Sequence, residues 1–141
     1  IEIVISFHIR RGDNVTHPKK FGRPYLWATD YYKNSISYFE EKFGLDKIRF
    51  IVISSNSNWS KDFMKKEFPK YKVTFPSEKD YLELYIMSIC KHQIIASSTF
   101  SWWAAYLNEN PEKIVIAPKN WHDPRRVPNW EWRYMDDWIR L

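Results

Sequence analysis

A histidine, two arginines and an aspartate stand at positions 8, 10, 11 and 13, in the run HIRRGD. They follow directly on Ile3–Phe7, an apolar stretch interrupted only by Ser6. An apolar run of strand length that ends abruptly in polar residues is the pattern of a buried parallel strand opening into a site. Ligands of open α/β sheets sit in the crevice outside the carboxyl ends of the strands. Two guanidinium groups there suit an anion, a phosphate above all, because the planar fork binds it bidentately. An isolated Arg-Arg pair reads as solvated charge. His8 before the pair, with Gly12 and Asp13 after it, shifts the reading to a site.

Two further polar stretches follow apolar runs in the same way, Ser54–Asn58 and Ser97–Ser101. The second, SSTFS, leads into a helical pattern at Trp102-Trp103. Hydroxyls and free backbone N–H groups at a helix N-terminus make an anion site, although a serine there is equally an ordinary helix cap. With Arg10 across the cleft, a pyrophosphate cradle explains the segment better. Asp80 is read as the cap of a helix from Tyr81, with contact to a guanine edge as the alternative. Trp102 and Trp103 are read as core on their short helix, not as a sugar platform. Cys90-Lys91-His92 and Trp121-His122-Asp123 are too sparse for a metal centre, and no spacing suits Zn²⁺. Neither standard glycine-rich phosphate loop is present. The tripeptide Arg11-Gly12-Asp13 and the sequons at Asn14 and Asn58 are read as chance matches.

The elements that must position these residues follow from periodicity. Asn14–Tyr25, with its prolines and Gly22, reads as an irregular loop. Asp30 is a candidate N-cap for a helix to about Phe43, in which Tyr32, Ile36, Phe39 and Phe43 repeat at helical spacing and Gly44 ends the run. Arg49–Ser54 is a second buried strand, Ser60–Phe68 a short helix broken by Pro69, and Tyr71–Phe75 a third strand. Lys79–His92 is helical, Gln93–Ala96 a fourth strand, Phe100–Asn108 a further helix and Ile114–Ala117 a fifth strand. Lys119–Leu141 shows no clear period. Strands alternating with helices predict right-handed crossovers and a mostly parallel, Rossmann-like α/β sheet with helices on both faces.

The chain has 141 residues, the length of one domain with a substantial core. It starts at Ile1 without methionine and enters a strand at once, which reads as a piece of a longer protein. No stretch approaches the roughly 20 apolar residues of a membrane span. The single cysteine excludes an internal disulfide and, placed in an apolar helical pattern, reads as a small buried hydrophobe. A net charge of +5 points to an anionic partner, whether nucleic acid, a phosphate-bearing small molecule or a membrane surface. Eight tryptophans suit either an aromatic core or stacking surfaces for sugars and bases. The rival to a phosphate-ligand site is therefore a single-stranded nucleic-acid-binding module, but no recognised RNA-binding signature is found.

Four segments in order, HIRRGD, FIVISSNSNW, LYIMSICKHQIIASSTFSWWAAYLN and IVIAPKNW, resemble the motif blocks of the α-1,2-fucosyltransferase family, which groups bacterial and animal galactoside 2-α-L-fucosyltransferases. The resemblance runs from about Phe7 to Trp121. The first block alone is shared more widely with α-1,6- and protein O-fucosyltransferases. The resemblance implies a GT-B architecture whose C-terminal domain, spanning residues 1–141 here, binds GDP-fucose, with an N-terminal partner domain preceding Ile1. It implies inverting transfer of fucose to a galactose-containing glycan acceptor, without a metal or other cofactor and without nucleic acid. By resemblance Arg10 meets the β-phosphate with His8 and Arg11 in support, Ser98, Thr99 and Phe100 meet the pyrophosphate, and Asp80 meets the guanine. Asp13 either takes the acceptor proton or orients Arg11. Ser55 and Asn56 stand where the family usually carries paired aspartates, Ser97 where it has asparagine and Ala104 where it has glycine. The loss of two carboxylates leaves a non-catalytic GDP-sugar-binding domain as an alternative. One cysteine and the weak sequons favour a bacterial cytosolic or membrane-associated enzyme over a Golgi one, any membrane anchor lying outside this segment.

Overall fold

The computed structural model describes residues 1–11, 26–121 and 133–141. Gly12, Asp13, the loop expected over Asn14–Tyr25 with its sequon, and His122-Asp123 lie outside the described residues. Among the described residues the strands are β1 (Ile3–Ile9), β2 (Ile48–Ser54), β3 (Lys72–Thr74), β4 (His92–Ile94), β5 (Val115–Ala117) and β6 (Ile139–Arg140). The helices are α1 (Tyr31–Phe43), α2 (Ser57–Glu67), α3 (Asp80–Ile89) and α4 (Thr99–Leu107). The strands form one six-stranded sheet in the order β3-β2-β1-β4-β5-β6, every pair of neighbours parallel. This is the doubly wound order in which the chain works outward from β1 in one direction and from β4 in the other.

Alternation along β1 sends Ile5, Phe7 and Ile9 into a core with Tyr32, Ile36 and Phe39 of α1 and Met64 of α2. On the opposite face Ile51 and Ile53 of β2 pack under Leu84, Ile86 and Met87 of α3 and Phe100 and Ala104 of α4. The central strands are thus covered on both faces, which is why they read as continuous apolar runs. A further cluster on the β4–β5 side joins Ile95, Ala105, Val115, Trp121, Tyr134 and Trp138.

Several local expectations change. Asp30 precedes α1 but makes no side-chain cap; the Thr29 hydroxyl accepts from Tyr31 N instead, at 3.2 Å. Helix α2 starts at Ser57, not Ser60, because Asn56 Oδ1 accepts from Trp59 N at 3.1 Å, and Ser60 is buried inside the helix. Asp80 is the first residue of α3 and not its cap; the preceding Lys79 makes no side-chain cap either. The carboxylates of Asp80 and Glu83 in the first turn favour the helix through its dipole. Strand β4 is His92–Ile94, earlier than the expected Gln93–Ala96, and α3 ends before it at Ile89. In the aperiodic tail Ile139 pairs with Ile116 to form β6, a strand of two residues with no pattern to betray it.

Candidate functional site: the crevice between β1 and β4

The β1–β4 ladder ends at the pair Phe7–Ile94. Beyond it β1 stays with β2 as far as Ile9–Ser54, while Ile95 N turns to Ile116 O of β5 at 2.9 Å. The strand order reverses here, so the carboxyl edge opens between residues 8–11 and 95–100. In doubly wound sheets this reversal is where ligands bind.

On the β1 side His8 is buried, and its ring lies 5.8 Å from that of Phe100 in α4. Arg10, two residues on, falls on the same side by strand alternation. The His8 pKa is lowered to about 3, by burial first and by the Arg10 guanidinium second. His8 is therefore a neutral imidazole at physiological pH, and its Nδ1 has no hydrogen-bond partner among the described residues. Arg11 takes the opposite side. Its guanidinium lies 4.0 Å over the Trp59 ring and 5.1 Å from the Trp27 ring. Trp59 in turn stacks on Phe63 at 5.0 Å. The arginine pair is thus divided between the two faces of the sheet.

On the β4 side the chain runs through buried Ala96, Ser97 and Ser98 into α4. Ser98 is the N-cap, its Oγ accepting from Phe100 N at 3.2 Å. Ser101 Oγ accepts from Ala96 N at 3.1 Å, which ties the turn to the helix. Ser97 is fully buried, and its hydroxyl has no partner among the described residues. The Thr99 and Ser101 amides belong to the first helical turn, which has no carbonyl of its own to bond. Arg10 and buried His8 on one lip and the serine-capped N-terminus of α4 on the other therefore flank one crevice, an arrangement suited to a phosphate group.

Against the same turn of α4 lies a cavity of about 190 Å³ lined by Thr99, Trp102, Trp103, Trp121 and Arg133. Trp102 is anchored, donating from Nε1 to Arg133 O and stacking on Tyr106 at 5.3 Å. Trp103 is 50% exposed, so the expectation that both tryptophans are core holds for Trp102 and fails for Trp103. Their neighbours on the helix face in and out, and only one of them meets the sheet.

Of the remaining predicted site residues, Ser55 and Asn56 follow β2 and lie level with Arg10 and Arg11, since Ser54 pairs with Ile9. Both are exposed, and the Asn56 side-chain oxygen is engaged in capping α2. Asp80 is exposed at the start of α3, in carboxylate company. Burial, and after it Asp80 and Glu78, raise the pKa of Glu83. Cys90 is buried with its thiol pushed up to about 12, which fits the hydrophobe expected there. Among the described residues no group of three His, Cys, Asp or Glu could hold a metal ion, and no helix is long and apolar enough to cross a membrane. Sequence reasoning missed Trp27, Trp59, Trp121 and Arg133, whose roles depend on contacts between distant segments.

A family model described as "Glycosyl transferase family 11" matches residues 1–141. The chain belongs to glycosyl transferase family 11. This agrees with the resemblance read from the four blocks. An O-antigen biosynthesis glycosyltransferase, WbnK, of Escherichia coli is 38% identical over 138 residues, which are 96% of this chain and 44% of that protein. An alpha-1,2-colitosyltransferase of Escherichia coli is 32% identical over 139 residues, 97% of this chain and 47% of that protein. The chain therefore spans about half the length of these curated relatives.

Proposed function

We propose that this chain is the donor-binding half of a GT-B glycosyltransferase that moves L-fucose from GDP-β-L-fucose to a galactoside hydroxyl, with inversion and α-1,2 linkage. The observation that carries the reading is the placement of Arg10 and the first turn of α4 on opposite lips of the crevice at the strand-order reversal. The acceptor oxygen bonds to the anomeric carbon as the bond from that carbon to the β-phosphate oxygen breaks. The acceptor proton passes to a base, for which Asp13 is the candidate, and GDP leaves with one more negative charge. Arg10 and the α4 amides supply fixed positive potential where that charge develops, the kind of preorganised electrostatics that is often the largest catalytic term. Neutral His8 contributes a hydrogen bond and bulk beside Phe100. The tryptophan-walled cavity offers the sugar an aromatic face, and Asp80 the guanine an acceptor. The galactose-containing acceptor and the site that receives it would involve the remainder of the protein.

Full-length protein, GDP-fucose and a β-galactoside, with product read by mass, test the proposal. Arg10→Ala is expected to lower kcat about a hundred- to a thousandfold, the usual loss on removing one such donor, with the fold intact. Near-native turnover by that variant overturns the assignment. One relative transfers colitose by its name, which supports a second reading in which the donor sugar is colitose. Offering GDP-colitose beside GDP-fucose separates the two.

A further inference from the structure

The β1–β4 ladder stops at Phe7–Ile94, so the backbone just beyond it must find other partners if the crevice is to hold one width. Two consecutive side chains in the first turn of α1 supply them. The Tyr32 hydroxyl donates to His8 O at 2.7 Å. The Tyr31 hydroxyl lies 2.5 Å from Ile95 O and 2.9 Å from Ile116 O. Successive residues on a helix diverge by about 100°, so one turn reaches both lips. Tyr32 holds the β1 lip two residues before Arg10. Tyr31 holds the β4 lip where it leads into Ser97, Ser98 and α4, and ties it to β5.

Both rings are buried, and Tyr32 stacks on Phe7 at 4.7 Å with the two phenols 5.1 Å apart. Burial raises both phenol pKa values, so the hydroxyls remain protonated donors. The rings fill the core under β1 whether or not they carry oxygen. The oxygens are placed only where the sheet parts.

We propose that Tyr31 and Tyr32 are positioning residues that fix the separation between Arg10 and the N-terminus of α4 by bracketing the two lips of the crevice. The proposal rests on the crevice being the donor site. Displacing a catalytic group by as little as about 1 Å can cost a hundredfold in rate, so the bracket acts on turnover far more than on folding.

The test uses full-length protein carrying Tyr31→Phe, Tyr32→Phe, both together, and Tyr71→Phe as control. The Tyr71 hydroxyl donates to Glu40 just before β3, at the amino end of the sheet and away from either lip. Tyr31→Phe and Tyr32→Phe are each expected to lose about ten- to a hundredfold in kcat/KM for GDP-fucose. The double variant is expected to be little worse than either single, because one loose lip already spoils the gap. Tyr71→Phe, which also deletes one phenol oxygen, is expected to lose thermal stability while keeping turnover within about twofold. Equal losses of turnover in Tyr71→Phe and in the Tyr31 and Tyr32 variants overturn the proposal, as do multiplying losses in the double. Amide hydrogen exchange is read in parallel and needs no substrate. Tyr32→Phe should speed exchange around His8–Arg11, and Tyr31→Phe around Ile95–Phe100. Exchange unchanged at both lips overturns the bracket whatever the substrate. Lip-specific exchange in a wild-type protein that leaves GDP-fucose untouched supports the bracket and overturns the donor reading alone.

Discussion

His8 gives the sharpest link between the geometry of the crevice and a solution measurement. It is a buried imidazole with its pKa lowered to about 3, burial being the main cause and Arg10 the second. In the unfolded chain a histidine titrates near 6.5. Below 6.5 the unfolded state takes up a proton that the folded state refuses. The stabilisation is therefore complete above about pH 6.5 and is lost as the pH falls toward 3. The slope approaches about 1.4 kcal/mol per pH unit, and the gap between 6.5 and 3 amounts to about 5 kcal/mol. That is comparable with the whole stability of many domains. Buried His92, with its pKa lowered to about 4, adds to the same trend over the upper part of that window. The perturbation is His8→Gln, read by denaturant unfolding of the full-length protein from pH 7.5 to 4. The variant should lose stability less steeply between pH 6 and 4, by about one proton's worth, whatever its stability at neutral pH. Identical slopes would refute the reasoning, and so would a His8 resonance titrating near 6.5. A histidine this weakly basic is also a poor proton acceptor near neutrality, so His8→Gln should leave any limb of the rate profile between pH 6 and 7 in place.

Two other residues yield direct tests. Trp59→Ala removes the ring that lies 4.0 Å beneath the Arg11 guanidinium, with an expected cost of about 1–2 kcal/mol for the lost cation–π contact and a higher KM for donor. Trp59→Phe, which keeps a face, should recover part of both in unfolding and steady-state assays. Asn56→Ala deletes the α2 cap and should cost about 1 kcal/mol. Asn56→Asp keeps the capping oxygen and should restore it; failure to do so in thermal melts argues that Asn56 acts elsewhere.

The sheet and the edge at which the polar strand ends gather were legible because both rest on local pattern. Apolar runs such as Arg49–Ser54 and the polar break after Ile9 carry their own period, and parallel topology then brings the strand ends to one edge. What escaped notice depends on the third dimension. That Arg10 and Arg11 divide between faces follows from alternation, but which face holds Trp59 is decided only by where α2 packs. Tyr31 and Tyr32 read as core positions of an amphipathic helix, and so their rings are. Their oxygens acquire a task only because Ile95, 64 residues from Tyr31, and His8, 24 residues from Tyr32, come within hydrogen-bonding distance. Asn56 read as a ligand because of its neighbours in the motif, although its spacing to Trp59 was also that of a cap. Ile139–Arg140 is too short for any period to show.

The division of the arginines makes the parity of β1 a constraint on engineering. Phe7 and Ile9 point under α1 and α2 while His8 points to Phe100, so the strand acts as a frame read in steps of two. Inserting or deleting one residue within Ile3–Ile9 would leave its apolar composition nearly intact but exchange the faces of every side chain beyond the change. Arg10 would then be aimed at the tryptophans and Arg11 at the crevice. Grafts, circular permutants and loop transplants that enter through this strand must therefore keep its length even-handed, changing it by two residues or not at all.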